Sequence, residues 1–329
     1  MLRDIKRFWA NNIYPFFTVS QRLDEVIAWN RKLDDLLADR GSIQLRLASI
    51  ERKIERLEIF SHGARATYVG NNRVLMKAII ADHQIAFLVE ANDRLLAPWF
   101  IITGGYEIAL TNYFVRALKA DSHCLDIGSN FGFFTCLMAR FCPDGRVIGV
   151  EPDRQVFELA RDNTLINGFG HAEVLNAAAS KEHGEMTLYR RLTRSGNTSI
   201  AKLPADFIAK LGEQPSEPFT VESICIDDLI SKMDDRIDFV KIDVEGAEPL
   251  VLQGAAATIS KNPNITIVME WSPGQITQAG FGLPRFIENL KDMGLKAFDI
   301  AQDGSLIPIS FDDLMQSSYL TGIALKHSA

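Results

Sequence analysis

The sequence predicts an α/β fold built on a doubly wound, mostly parallel sheet between residue 121 and the end of the chain. Short apolar strands alternate there with helical stretches, which is the order expected of parallel strands joined by crossover helices. The first strand runs into a turn that holds Gly128 and Gly132 and leads straight into a helix. Strands are predicted at residues 123–127, 146–151, 172–178, 186–190, 237–242, 265–270 and near 295–300.

The composition is that of a globular protein with an acidic balance. The 329 residues carry a formal net charge of −7, and 47% of them are hydrophobic. Proteins that bind a phosphate backbone usually gather Lys and Arg on one face, so nucleic acid is not expected as a substrate. No apolar run reaches the roughly 18 residues that span a bilayer, and the N-terminus lacks the apolar segment of a secretory signal. We therefore expect a cytoplasmic protein without a transmembrane segment.

The cysteines and histidines do not form a recognisable metal-binding pattern in the sequence. Cys124, Cys136, Cys142 and Cys225 include no C-x-x-C pair, and the histidines are scattered. The sequence therefore predicts free thiols that pack as small apolar groups, and it assigns no metal site.

Residues 1–65 are predicted to be helical and similar to a coiled coil. Residues 1–19 combine basic and aromatic side chains; we expect them to pack on their own domain, with a weak peripheral membrane contact as the alternative. Apolar residues from Leu23 onward follow heptad-like spacing, with Asn30 on the same seam. Two interpretations stay open: self-association into a homo-oligomer through residues 20–60, or amphipathic helices docked on their own chain.

The next segment, residues 66–120, is predicted to form a β-hairpin and a helix that leads into the sheet domain. The β-rich runs are separated by Gly70-Asn71-Asn72, and such turn residues favour a hairpin. The chain is thus divided into residues 1–65, 66–120 and 121–329.

The turn after the first predicted strand suits a ligand that lies close to the backbone. Gly128 and Gly132 have no Cβ atom to occupy that space. The spacing is G-x-x-x-G rather than the G-x-G-x-x-G of dinucleotide-binding turns, because position 130 is Asn. A pyrophosphate is therefore disfavoured. Asp126 at the strand end can instead anchor a cationic ligand by charge and hydrogen bonds.

The second predicted strand ends in Glu151, 25 positions after Asp126. A carboxylate at this point can accept hydrogen bonds from both hydroxyls of a ribose, as in dinucleotide-binding folds. The alternative is a solvated charge at a strand end, with Pro152-Asp153 serving only to start a helix. We interpret Glu151 as the ribose ligand.

Taken together, these residues resemble the FkbM-type methyltransferases. The resemblance covers roughly residues 66–275, and the family usually has Ala where this chain has Ser129. Residues 1–65 lie outside it. Its motifs are Leu125-Asp126-Ile127-Gly128-Ser129-Asn130-Phe131-Gly132, Glu151-Pro152, Asn163 to Gly168, Ala177-Ala178-Ala179, Ile226-Asp227-Asp228-Leu229, Val240-Lys241-Ile242-Asp243-Val244-Glu245-Gly246-Ala247-Glu248 and Val251-Leu252-Gln253-Gly254-Ala255.

The resemblance implies a class I methyltransferase-like fold, S-adenosylmethionine bound by residues 121–329, and O-methylation of a hydroxyl on a sugar, glycan or secondary metabolite. Residues 97–107 are similar to members associated with bacterial surface polysaccharides, which favours polysaccharide modification and makes Tyr106 and Glu107 candidates for the pocket wall. A helix cap explains Glu107 equally well. The expected cofactor-binding residues are Tyr106, Asp126, Gly128, Ser129, Asn130, Gly132, Thr135, Glu151 and Ala178.

Three carboxylates are the candidate catalytic residues. Asp243 follows the predicted strand 237–242, at the end where ligands bind in open α/β sheets. Methyl transfer requires the acceptor oxygen to be held about 3 Å from the methyl carbon and to lose its proton. Glu245 and Glu270 are expected to converge on the same cleft, although a helix cap and a structural hydrogen bond are their respective alternatives. A divalent cation held by the cluster is the less favoured possibility.

The acceptor is expected to meet the loop that follows the predicted strand 186–190. Its three arginines suggest an anionic group in the acceptor, although a solvated basic turn also explains them. The predicted acceptor-binding residues are Arg190, Arg191, Arg194, Asn197, Thr198 and Trp271.

Two other classes of protein compete with a methyltransferase. A Rossmann-type oxidoreductase shares the ribose acid, but it needs the middle glycine that this turn lacks. A non-catalytic methyltransferase-like scaffold would serve the N-terminal helices, but Asp126, Gly128, Glu151 and Asp243 are all present.

Overall fold

The protein is described by a computed structural model in which the chain divides into two compact units, Met1–Ile59 and Phe60–Ala329. In the first unit, helix α1 covers residues 46–55; the seam around Asn30 and most of residues 20–60 lie outside the described residues. None of the helices in the described part of the chain combines the length and apolar character needed to cross a bilayer. The structure describes residues 46–55, 66–191, 196, 198–202, 204, 208 and 214–327.

The second unit begins with an antiparallel meander of three strands, β1 (Thr67–Gly70), β2 (Arg73–Ile80) and β3 (His83–Glu90). The sequence predicts the first turn, but the second turn, at Ala81-Asp82, has no glycine to mark it, although both residues have positive φ. Phe87 of β3 packs against the rings of Phe131 and Phe133. The meander therefore shares a core with the sheet domain.

The central sheet has eight strands in the order β13-β12-β14-β11-β10-β4-β5-β6. Strands β11, β10, β4, β5 and β6 are parallel, and β14 lies antiparallel between β11 and β12. This arrangement confirms the predicted class I methyltransferase-like α/β fold. The strands are β4 (Cys124–Ile127), β5 (Val147–Val150), β6 (Ala172–Leu175), β10 (Phe239–Ile242), β11 (Thr266–Trp271), β12 (Leu295–Ile300), β13 (Leu306–Ile309) and β14 (Leu320–His327).

Both faces of the central sheet carry a hydrophobic core, as a doubly wound sheet requires. In β4, Cys124 belongs to the core on one face, and Leu125 and Ile127 belong to the core on the other. The helices are α2 (Leu96–Thr103), α3 (Ile108–Ala117), α4 (Phe133–Phe141), α5 (Arg154–Ile166), a 3₁₀ helix (Ile226–Met233), α6 (Glu248–Gln253), α7 (Ala256–Lys261), α8 (Pro273–Gln278), α9 (Leu283–Asp292) and α10 (Phe311–Gln316).

A separate three-stranded sheet, in the order β7-β9-β8, corrects the strand predicted at 172–178. That segment divides into β6, in the central sheet, and β7 (Ala178–Ala179), which pairs with β9 (Glu217–Ile224). Strand β8 (Gly184–Arg190) runs antiparallel to β9. The sequence analysis missed β9, although Phe219, Val221 and Ser223 alternate in burial with their more exposed neighbours.

Candidate active site

A cleft lies at the carboxyl ends of β4, β5 and β10, where the strand order reverses around β4. Ligands bind at this point in open α/β sheets. The cleft encloses about 670 Å³, including space open to solvent. The β7-β9-β8 sheet contributes one wall, through Ala178, Met186 and Leu188. The predicted site residues that line the cleft are Tyr106, Gly128, Asn130, Glu151, Ala178, Thr198, Asp243 and Glu245.

The turn between β4 and α4, residues 128–132, is the Gly128 turn, and it packs closely against the end of β10. Gly128 has φ +77°, and a Cβ atom there would lie 1.8 Å from the carbonyl oxygen of Asp243. Asn130 has φ +49°, so a second residue of the turn occupies the left-handed region. Position 128 therefore requires glycine both for its backbone conformation and for the space beside Asp243.

We expect Gly128→Ala to destabilise the protein and to lower its affinity for a ligand in the cleft. Gly168 has a similar φ of +72°, but nothing lies within 4 Å of a Cβ there, so Gly168→Ala is a matched control that tests the backbone strain alone. That strain costs about 1–2 kcal/mol, and the clash at Gly128 should add about 1–3 kcal/mol. Urea unfolding of both variants measures the difference, and equal losses would contradict the close packing described here.

Glu151 is held in the cleft wall by two backbone N–H groups. Its Oε2 accepts from the N–H of Asn130 at 2.8 Å, and its Oε1 accepts from the N–H of Asp153 at 2.9 Å. Burial raises the pKa of Glu151 to about 8. The carboxylate is thus fixed in orientation, and each of its oxygens can accept a further hydrogen bond.

Four predicted cofactor-binding residues, Asp126, Ser129, Gly132 and Thr135, do not line the cleft. The Oγ1 of Thr135, which is fully buried, donates to Asp126 Oδ2 at 2.6 Å. Gly132 lies against Ala160 of α5. We therefore correct the predicted direct contacts of Thr135 and Gly132: both support the turn from behind. Asp126 Oδ1 and Ser129 Oγ are buried without a hydrogen-bond partner in the described structure.

Lys241 is a charged residue of the site that the sequence analysis missed. Its side chain is only 4% exposed, and Nζ lies 2.9 Å from Asp243 Oδ2 and 4.9 Å from the centroid of the Phe134 ring. Burial alone would lower the pKa of Lys241, but Asp243, Glu107 and Asp126 raise it overall. Lys241 is thus a permanent cation that orients Asp243. The sequence feature that could have identified Lys241 is a lysine within the otherwise apolar strand Phe239–Ile242.

The three predicted catalytic carboxylates do come together. One oxygen from each of Asp243, Glu245 and Glu270 lies within 4.8 Å of the others. Glu245 has φ +53° and accepts a hydrogen bond from Gln275 Nε2. Burial and the charges of Asp243 and Glu248 raise the pKa of Glu270 to about 8. The clustered carboxyl oxygens can accept hydrogen bonds from an acceptor hydroxyl, and they also suit a hard cation.

These raised pKa values predict an unusual pH dependence of stability. Folding lifts the pKa of Glu270 from its ordinary value of 4.5 to about 8, so the folded chain binds more protons than the unfolded chain between those values. We expect the free energy of unfolding of the cofactor-free chain to fall as pH rises from about 4.5 to about 8. Glu270→Gln should reduce that fall, whereas Glu173→Gln, at an exposed carboxylate of β6, should not. Denaturant titrations across this range test the expectation, and equal slopes for the two variants would contradict it.

The structure changes the predicted acceptor site in several places. Arg190 donates to both carboxylate oxygens of Asp153 and does not line the cleft, so its substrate contact stays a prediction. Trp271 is fully buried and donates to the carbonyl oxygen of Leu314, so the structure places it in the core rather than at the cleft. Arg191 is 8% exposed. Of the predicted acceptor-binding residues that the structure describes, only Thr198 lines the cleft. Arg194 and Asn197 lie outside the described residues.

Comparison with known proteins identifies a family that is consistent with the fold. The family described as the methyltransferase FkbM domain matches residues 126–296. Methyltransferase sdnD of Sordaria araneosa is 24% identical over 213 residues, which cover 58% of this chain and 79% of that protein. Methyltransferase 1 of Beauveria bassiana (strain ARSEF 2860) is 25% identical over 154 residues, 43% of this chain and 61% of that protein.

Two solved structures are also similar. The crystal structure of methyltransferase FkbM from Methylobacillus flagellatus KT has a TM-score of 0.41 and 16% identity, with 69% of this chain and 52% of that chain covered. An O-methyltransferase from Bacillus cereus in complex with SAH has a TM-score of 0.36 and 14% identity, with 67% and 80% covered. Because these TM-scores are below 0.5, the assignment rests on the family match. That match spans more than half of the chain, so the protein belongs to the FkbM methyltransferase family, with S-adenosylmethionine as its cofactor.

Proposed function

We propose that the chain transfers a methyl group to a hydroxyl oxygen of a sugar, a glycan or another secondary metabolite. The observation that carries this proposal is the convergence of Asp243, Glu245 and Glu270 beside the Gly128 turn. The likeness of residues 97–107 to members associated with surface polysaccharides supports a glycan. A neutral hydroxyl needs a proton acceptor when its oxygen attacks, and a carboxylate cluster supplies one.

The residues of the cleft fit the cofactor. Gly128 lines the cleft and brings the backbone of the turn close to a ligand, and Glu151 presents fixed acceptors for the ribose hydroxyls. Buried Asp126 has an oxygen without a hydrogen-bond partner in the described structure and adds negative charge beneath the turn. The bound cofactor supplies a methyl group on a cationic sulfur, which the acidic surroundings favour.

The chain's own residues would then position the acceptor and remove its proton. Lys241 holds the carboxylate of Asp243 at the cleft, so that Asp243 can orient the acceptor hydroxyl by a hydrogen bond. The cofactor, when held at Gly128 and Glu151, would supply the methyl group that the acceptor oxygen takes up. The hydroxyl proton passes to Asp243, the carboxylate that Lys241 keeps at the cleft. The apolar wall that includes Met186 and Leu188 would exclude water from this step.

The test is transfer of a labelled methyl group to a panel of neutral and acidic sugars and hydroxylated metabolites, read by mass spectrometry. We expect methylation of at least one hydroxylated acceptor and none of the corresponding deoxy compounds. Methylation of amines or carbon acceptors alone would contradict O-methylation. Chelator treatment in the same assay separates a proton-accepting cluster, which should retain activity, from a divalent-cation site, which should lose it.

Two further proposals rest on the sequence alone. We propose a cytoplasmic enzyme that self-associates through residues 20–60, because that segment has heptad-like spacing. Light scattering of the full chain over a range of concentrations tests self-association, and a monomer at every concentration would exclude it.

A further inference from the structure

A second cluster of metal-ligating side chains lies outside the cofactor cleft. His183 precedes β8, Cys225 follows β9, and Asp228 lies in the 3₁₀ helix. His183 Nε2 is 2.7 Å from Asp228 Oδ2, and one ligand atom from each of the three residues lies within 4.8 Å of the others. Cys225 and Asp228 are close in sequence, but His183 lies at the start of another strand, so the sequence gave no indication that the three residues form a cluster.

The ligand set is specific in its chemistry. A thiolate, an imidazole and a carboxylate are the groups that bind Zn²⁺, whereas Mg²⁺ and Ca²⁺ prefer oxygen ligands alone. The carboxylates of Asp227 and Glu182 add negative charge around Cys225 and Asp228. The same negative charges attract a cation. The side chains of His183 and Asp228 are 59% and 55% exposed, so they have room to turn toward an ion.

We propose that His183, Cys225 and Asp228 form a zinc site with its fourth coordination position open to solvent. The site is independent of the proposed acceptor chemistry, because none of the three residues lines the cleft. It lies at the end of the β7-β9-β8 sheet, where Gly184 of β8 pairs with Ser223 of β9. A zinc ion would join the start of β8 to the end of β9. It would thereby fix the sheet whose Met186 and Leu188 line the cofactor cleft.

Cobalt substitution provides the most specific test, because a thiolate bound to Co²⁺ gives a charge-transfer absorption that oxygen ligands do not give. The chain has four cysteines, and Cys124, Cys136 and Cys142 are fully buried, so Cys225 is the thiol that can give this band. We expect the band in the wild-type protein and its loss in Cys225→Ser. A cation at the Asp243 cluster would not produce it, so the two sites are distinguishable.

Zinc titration of the full chain measures the affinity. Removing a residue that only hydrogen-bonds to a metal ligand usually lowers metal affinity by about 10–100-fold. Removing a ligand itself, in Cys225→Ser or His183→Ala, should therefore lower the zinc affinity by about 100-fold or more. Asp234→Asn, at an exposed carboxylate paired with Arg146, is the matched control and should bind as wild type does. Absence of the cobalt band, its persistence in Cys225→Ser, or equal zinc affinity in all variants would overturn the proposal.

Discussion

Asp243→Asn is expected to reduce turnover by about 10²–10⁴-fold, the usual contribution of a positioned acid–base group. Cofactor affinity should stay within a few-fold of wild type. Asn keeps the size of Asp243 and can still accept a hydrogen bond, so the substitution removes the charge and the capacity to take a proton. The ion pair with Lys241 is lost as well, which frees the lysine to turn away from the site.

The control for this experiment is Asp238→Asn, at the other end of the same strand. Asp238 does not line the cleft; it accepts hydrogen bonds from the backbone N–H of His123 and from Arg236, and Asn can preserve the first of them. We expect this variant to turn over at close to the wild-type rate. Measurements of kcat together with calorimetric cofactor affinity check both expectations. Full activity of Asp243→Asn would refute the catalytic role.

Glu151→Ala is expected to weaken cofactor binding by about 1.5–3 kcal/mol, which is roughly 10- to 150-fold in Kd. This is the usual cost of leaving buried hydrogen-bonding groups without a partner, because the ribose hydroxyls would lose their acceptor. The variant also removes the acceptor of the Asn130 N–H, so part of the loss will come from a looser turn.

Two measurements separate these contributions to the Glu151 effect. Thermal unfolding of the cofactor-free variant reports the loss in the turn, and calorimetry with the demethylated cofactor product reports the loss of affinity. Glu173→Ala, on the neighbouring strand β6, is the matched control, since its carboxylate pairs with Lys232 on the surface. An unchanged Kd for Glu151→Ala would place the ribose contact elsewhere.

The sequence predicts the carboxylate cluster and the Gly128 turn because both depend on which residues stand at the ends of the parallel strands. Parallel strands bring their carboxyl ends to one edge, so the residues at the carboxyl ends of β4, β5, β10 and β11 meet once the strands are recognised. The convergence of Asp243, Glu245 and Glu270 follows from that rule. The left-handed turn at Gly128 follows from its glycine.

The features that the sequence does not predict depend on contacts between residues far apart in the chain, which sequence spacing does not reveal. Strand β14 enters the sheet from the C-terminus and separates β11 from β12. The partner of Arg190 is Asp153, 37 residues earlier, so the sequence alone presents Arg190 as part of a basic loop. Trp271 follows Glu270 directly, but neighbouring strand residues face opposite sides, and Trp271 points into the core.

The position of the methyl group in the product tests the central claim most directly. The wild-type chain would be incubated with cofactor that carries a ¹³C-labelled methyl group and with an acceptor identified from the panel, and the product would be examined by NMR. We predict a labelled methyl ether, with correlations to the sugar proton on the carbon that bears the oxygen, and its near absence with Asp243→Asn. A label on nitrogen or carbon, or ether formation by Asp243→Asn at the wild-type rate, would contradict the account.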